Sequence, residues 1–100
     1  MVIFMAEEVV MSVDDAIEYI RNNVEINDIL ELSYNRIFAP GEVLNILEED
    51  EVTGEGLRVS LQLTGEILNQ TVEVDFNEIR DDLLEFTHIH DGVEKTIEIE

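Results

Sequence analysis

The hydrophobic residues of this chain change their spacing near residue 25, from the period of a helix to the period of a strand. Before that point, apolar residues recur three and four positions apart: Val13, Ala16, Ile17, Ile20 and Val24. After it, the clearest stretch alternates apolar with polar side chains over residues 57–63. The first spacing predicts a helix with one apolar face, and the second predicts a half-buried strand. The chain is therefore expected to form an α+β domain that is mainly β.

The helix has recognisable start and stop signals. Ser12 can accept a hydrogen bond from a backbone N–H of the first turn, and Asp14 and Asp15 favour the positive end of the helix dipole. Asn22 and Asn23 are poor helix formers. The helix is predicted to begin after Ser12 and to end near these asparagines.

The remaining apolar stretches are short and separated by turn signals such as Ala39-Pro40-Gly41 and Asp91-Gly92. Five to six strands at this spacing predict a small antiparallel SH3-like barrel or a strongly bent sheet, with the N-terminal helix packed across one opening. An open four- or five-stranded sheet covered by the helix is the alternative. Residues 12–100 are expected to form this single domain. Residues 1–11 are expected to be an N-terminal segment, either an extra strand or a partly disordered stretch.

The formal net charge is −20, from 25 Asp and Glu against 5 Lys and Arg. Binding to nucleic acid depends on Lys and Arg that neutralise phosphates, so neither direct nucleic-acid binding nor binding to an anionic membrane is expected. The chain has no cysteine, which favours a cytoplasmic protein over a disulfide-rich secreted one. Its apolar opening residues lack the basic region of a signal peptide and are too few for a membrane span.

Catalytic motifs are missing from the sequence. None of the serines (Ser12, Ser33 and Ser60) lies in a Gly-x-Ser-x-Gly elbow, and Gly54-Glu55-Gly56 is too acidic for a phosphate-binding loop. We expect no enzyme activity and no cofactor.

His88-Ile89-His90 is the one pair of residues with the spacing of metal ligands. Positions two apart on a strand project to the same face, so both imidazoles could reach one ion. With Glu94 the pattern His-x-His-x-x-x-Glu is similar to the first metal motif of cupins, although the upstream glycine and a later histidine of that motif are missing. The sequence thus predicts His88, His90 and Glu94 as metal ligands. The alternative is two histidines that are partly charged by nearby carboxylates.

The acidic residues suggest a partner of opposite charge. A run of carboxylates lies between two predicted strands, at Glu48, Glu49, Asp50, Glu51 and Glu55. A dense negative surface speeds encounter with basic proteins. We therefore predict an acidic protein-interaction module that binds a basic protein partner through this loop. The alternatives are a DNA-mimic inhibitor, an acidity that serves only solubility or salt adaptation, and a minor metal-binding domain that uses the His-x-His strand.

The chain also resembles a known group of proteins. Three strings carry this resemblance: Ser33-Tyr34-Asn35-Arg36, Pro40-Gly41-Glu42-Val43 and Val74-Asp75-Phe76-Asn77-Glu78-Ile79. They are similar to small uncharacterised proteins of methanogenic archaea, over about residues 12–99. That family has no assigned activity, so the resemblance implies a fold and a lineage but no mechanism.

Overall fold

A computed structural model describes residues 2–64 and 70–100 of the chain. The elements, in chain order, are β1 Met5–Met11, α1 Val13–Asn23, β2 Ile29–Tyr34, β3 Ile37–Leu47, β4 Arg58–Leu63, β5 Thr71–Asp75, β6 Leu83–His90 and β7 Val93–Ile99. The helix has 11 residues, and the described part of the chain contains no helix long and apolar enough to cross a membrane. The expected α+β class, mainly β with an N-terminal helix, is confirmed.

The seven strands form one mixed sheet in the order β1-β7-β6-β2-β3-β4-β5. β1 runs parallel to β7, and every other neighbouring pair is antiparallel. The sheet is not closed, so the predicted SH3-like barrel and the count of five to six strands are not confirmed. The count differs because residues 5–11 form a strand that pairs with the last strand, and β1 and β5 then lie at opposite edges.

The helix begins where its sequence signals place it. The Ser12 hydroxyl accepts a hydrogen bond from the Asp15 backbone N–H at 3.2 Å, and the helix ends at Asn23. Ala16 and Ile20 are fully buried on its apolar face. The predicted helix is therefore confirmed at both ends.

The two faces of the sheet have different surroundings. Residues paired across neighbouring strands project to the same face, so Leu32, Phe86 and Ile97 share one face, and all three are fully buried. The Tyr19 ring of α1 lies 6.1 Å from the Phe86 ring, which shows that the helix covers this face. On β1, β7, β6 and β2, the residues between these positions project to the opposite face, away from the helix.

Candidate functional site

The two predicted histidines lie near the end of β6, on the face that the helix covers. His88 pairs with Leu30 of β2 and with Lys95 of β7, and His90 pairs with Val93. His88 is 5% exposed, whereas the side chain of His90 is 44% exposed. Glu94 pairs with Ile89 and projects to the opposite face. The structure therefore brings the two histidines to one side but does not bring Glu94 to them.

The group that joins the histidines is Asp28, which is 6% exposed. Its Oδ2 atom lies 2.7 Å from Nε2 of His88, and its Oδ1 atom lies 2.5 Å from Nδ1 of His90. Oδ2 also accepts a hydrogen bond from the Glu25 backbone N–H at 2.9 Å. One buried carboxylate thus has three hydrogen-bond partners, and the groups that could bind an ion meet around it.

The turn between α1 and β2 holds Asp28 in this position. Asn27 has a φ of 78°, a conformation that Asn tolerates better than most residues. Its N–H donates to the Val43 carbonyl at 2.8 Å, and the Val43 N–H donates to the Asp28 carbonyl at 2.8 Å. Because β3 fixes the turn through two backbone hydrogen bonds, the Asp28 side chain is directed at β6.

The electrostatics of Asp28 and His90 follow from these contacts. Burial alone would raise the pKa of Asp28, but the hydrogen bonds from His88, His90 and the Glu25 backbone outweigh it, and the pKa lies below its ordinary value. The hydrogen bond to Asp28 and the negative charge of that carboxylate raise the pKa of His90. Asp28 is therefore ionised near neutral pH and can only accept hydrogen bonds, so each histidine donates to it.

Tyr19 extends the hydrogen-bonded chain into the helix. Its hydroxyl oxygen lies 2.7 Å from Nδ1 of His88. With the Nε2–H of His88 donated to Asp28, Nδ1 of the same ring can accept a hydrogen bond from the Tyr19 hydroxyl. Burial, together with the charges of Glu7 and Asp28, raises the pKa of Tyr19, so the hydroxyl keeps its proton. Tyr19, His88, Asp28 and His90 form a continuous series of hydrogen bonds, which we call the His-Asp chain.

Two further carboxylates flank His90. Oε2 of Glu25 lies 3.8 Å from Nδ1 of His90, and Oδ2 of Asp91 lies 3.2 Å from Nε2 of the same ring. One ligand atom from each of Glu25, Asp28 and His90 lies within 4.8 Å of the other two. These three side chains, and not the predicted set, have the spacing of a cation site.

A cavity of about 410 Å³ lies beside the His-Asp chain, and its walls include Tyr19, His88 and His90. The Lys95 ammonium lies at the same cavity, 5.1 Å from the centre of the Tyr19 ring and 3.4 Å from Oε1 of Glu7. The cavity therefore offers an aromatic surface, a cation and imidazole groups to a small polar ligand or to water.

The predicted acidic loop is partly neutralised within the chain. Arg21 of α1 forms ion pairs with Glu48 and Glu49, and Arg58 forms one with Glu55. Asp50 closes the loop by accepting from the backbone N–H groups of Val52 and Thr53. The fifth residue, Glu51, is exposed. Most of the loop carboxylates therefore have partners inside the molecule.

The structure gathers other acidic residues onto the face of the sheet opposite the helix. Five glutamates project from that face of four adjacent strands: Glu8 on β1, Glu94 and Glu98 on β7, Glu85 on β6 and Glu31 on β2. Over the same four strands, all of which the structure describes, no Lys or Arg projects from this face; Lys95 projects to the other one. Glu85 lies directly opposite Glu98, an arrangement of like charges that destabilises a sheet. We call these five residues the acidic face.

Sequence reasoning missed Asp28, the group at the centre of the His-Asp chain. Asp28 precedes His88 by 60 residues, and no spacing rule connects them. The available signal is the strand register. Because Leu30 pairs with His88 in antiparallel strands, Asp28, two residues before Leu30, lies beside His90, two residues after His88. Only a prediction that paired β2 with β6 could have brought Asp28 to His90.

Comparison with known proteins places the chain in a family but assigns it no activity. The model of a family described as an uncharacterized protein conserved in archaea, DUF2097, matches residues 7–98. No curated protein matches the chain, and no solved structure matches it. The expected relation to small archaeal proteins without an assigned activity is confirmed.

Proposed function

This chain belongs to the archaeal family DUF2097, and we propose that it is an interaction module whose acidic face binds a basic segment of a protein partner. One observation carries the proposal: five glutamates share one face of four adjacent strands on which no Lys or Arg projects. The proposal moves the contact surface from the predicted loop to the sheet. It takes the protein to be cytoplasmic, as its lack of cysteine suggests.

The arrangement of these charges supports binding more than solubility. Solubility requires only that charges be exposed, and a surface that mixes both signs would provide it. The acidic face instead concentrates one sign, and it keeps Glu85 opposite Glu98 at a cost to the sheet of a few tenths of a kcal/mol. A basic segment across these strands would neutralise both carboxylates and remove that repulsion. Complementary potential of this kind also raises the association rate.

A comparison of two charge-matched variants tests the proposal. The face variant combines Glu8→Gln, Glu31→Gln and Glu94→Gln, and the loop variant combines Glu48→Gln, Glu49→Gln and Glu51→Gln. Each removes three negative charges. The measurement is the affinity of wild type and both variants for an arginine- and lysine-rich peptide, by fluorescence anisotropy at low and high salt.

We expect the face variant to weaken peptide binding at 0.1 M salt by about tenfold more than the loop variant, because screening at that salt confines these interactions to distances of about 10 Å. Equal losses in the two variants would mean that only net charge matters, and the salt-adaptation alternative would then replace the proposal. A larger loss in the loop variant would return the contact surface to the predicted loop. Circular dichroism of both variants checks that each remains folded.

A further inference from the structure

We propose that Glu25, Asp28 and His90 bind one divalent transition-metal ion of the Zn²⁺ class, at a site independent of the acidic face. Carboxylate oxygen and imidazole nitrogen are both common zinc ligands. Three protein ligands with a remaining open position are typical of zinc sites that also bind water or a substrate. His90 lines the cavity of about 410 Å³, which has room for such a fourth ligand.

The distances fit an ion after a small adjustment. Two ligands of a tetrahedral zinc ion, each about 2.1 Å from it, lie about 3.4 Å apart. Oε2 of Glu25 is 3.8 Å from Nδ1 of His90, whereas Oδ1 of Asp28 is 2.5 Å from the same atom. The Glu25 and His90 side chains are 69% and 44% exposed, so both can move while the buried Asp28 stays fixed. The ion takes the place of the proton that His90 donates to Asp28.

The groups around Asp28 and His90 resemble the surroundings of ligands in metal sites. A histidine that binds a metal usually donates its other ring N–H to a carboxylate, which fixes the ring orientation. Oδ2 of Asp91 lies 3.2 Å from Nε2 of His90, and a small rotation of this partly exposed ring would make it such a partner. A ligating carboxylate is likewise held by hydrogen bonds, and the second oxygen of Asp28 accepts from His88 and from the Glu25 backbone. His88 is therefore a positioning residue for Asp28, and not a ligand as the sequence suggested.

Zinc titration of the untagged, chelator-treated full chain tests the proposal. An excess of Mg²⁺ is kept present so that weak binding to the many surface carboxylates does not contribute. We expect one Zn²⁺ per chain by calorimetry, and an affinity lowered more than about tenfold by either His90→Ala or Glu25→Ala. Glu94→Ala removes an equal charge from the opposite face and should leave the affinity unchanged. Because the chain has only two histidines, the NMR signals of both rings can be assigned, and zinc should shift those of His90 more than those of His88.

Three results would overturn the site. One is binding without a defined stoichiometry under excess Mg²⁺. Another is a single site that Glu25→Ala leaves intact while Glu94→Ala weakens it, since that is the ligand set inferred from sequence. The last is a shift of the His88 ring signals with none at His90. Both ligand substitutions fall at partly or largely exposed side chains, so the variants should fold, and their melting curves without zinc verify this. None of these results depends on whether the acidic face binds a partner.

Discussion

At the scale of single residues, Asp28 controls how the stability of the metal-free chain depends on pH. Its lowered pKa contributes stability that is fully present above the ordinary value of 3.8 and is lost as the pH falls through the folded value. The raised pKa of His90 contributes stability that is fully present below 6.5 and is lost as the pH rises through the folded value. The two contributions overlap between these pH values.

We therefore predict that Asp28→Asn lowers the free energy of unfolding most between pH 3.8 and 6.5, by about 1.5–3 kcal/mol, the usual contribution of a hydrogen bond to a charged group. Urea denaturation of wild type and variant, across that window and on both sides of it, measures the difference. In a His90→Ala protein, the free energy of unfolding should no longer fall as the pH rises above this window, whereas its fall on the acid side should remain. A difference that does not change with pH would show that the Asp28–His90 pair does not form in solution.

At the scale of elements, the turns show how far local signals specify the fold. Asp91 and Gly92 both have positive φ, at 48° and 79°, and they form the predicted two-residue hairpin turn between β6 and β7. Asn35 and Arg36, with φ of 41° and 67°, form a similar turn that sequence reasoning assigned instead to Pro40. A dipeptide rule finds Asp-Gly because glycine accepts positive φ freely, and it misses Asn-Arg because arginine adopts that conformation only when the paired strands require it.

Pro40 lies inside β3, where the sequence predicted a turn. Proline is excluded from strand interiors because it has no N–H to donate, but here the lost bond falls at the end of a ladder. The Pro40 carbonyl accepts from the Thr64 N–H at 3.0 Å, so its nitrogen also points toward the β4 side, and the pairing of β3 with β4 begins only at Gly41. The alternation of apolar and polar residues could be predicted from sequence. That β3 tolerates a proline at this position could not, because it depends on where the pairing with β4 ends.

The hairpin turn between β6 and β7 also anchors the N-terminal segment. A Cβ atom on Gly92 would lie 2.5 Å from Cε1 of Phe4, whereas one on Gly54, which has a nearly equal φ of 78°, would meet no atom within 4 Å. We predict that Gly54→Ala costs about 1–2 kcal/mol from backbone strain alone. Gly92→Ala should cost at least about 1 kcal/mol more because of the steric overlap.

Thermal denaturation of the two alanine variants measures this difference, with Phe4→Ala as the second background. If Phe4 packs on the turn, then Gly92→Ala should be less costly in the Phe4→Ala protein, because the overlapping ring is gone. Equal costs for the two glycine substitutions would mean that residues 2–4 do not pack on the turn in solution.

At the scale of the whole molecule, the strand order explains which parts of the acidic face were predictable. The strongly negative balance was visible in the composition, and the recurrence of acids at polar strand positions was visible in the order of the residues. The concentration on one face was only partly visible. Glu85 and Glu98 face each other across the predicted β6–β7 hairpin, whereas Glu31 and Glu8 lie on strands that are remote in sequence and pair with its two edges. Local alternation assigns each glutamate to the polar side of its own strand, but only pairing decides which other glutamates lie beside it.

Removing one member of the like-charge pair at the centre of the acidic face should change stability and peptide binding in opposite directions. Replacing Glu85 with Gln removes its repulsion from Glu98, directly opposite, and we expect Glu85→Gln to stabilise the chain by about 0.2–1 kcal/mol at low salt. The gain should diminish as salt increases, because the screening length falls to about 3 Å at 1 M. The same substitution should weaken binding of the basic peptide, because it removes a charge from the proposed contact surface.

Glu51→Gln is the matched control, since it removes one exposed carboxylate outside the acidic face, and it should change neither stability nor peptide binding appreciably. Urea denaturation over a salt series and peptide titration of the same samples provide both measurements. A Glu85→Gln variant that is more stable but binds the peptide as tightly as wild type would show that the repulsion exists but that Glu85 does not contribute to peptide binding. One that shows neither effect would mean that the two glutamates are too well solvated for their pairing to matter. Stabilisation together with weaker binding would show that the repulsion between Glu85 and Glu98 is retained at a cost to the fold because the partner relieves it.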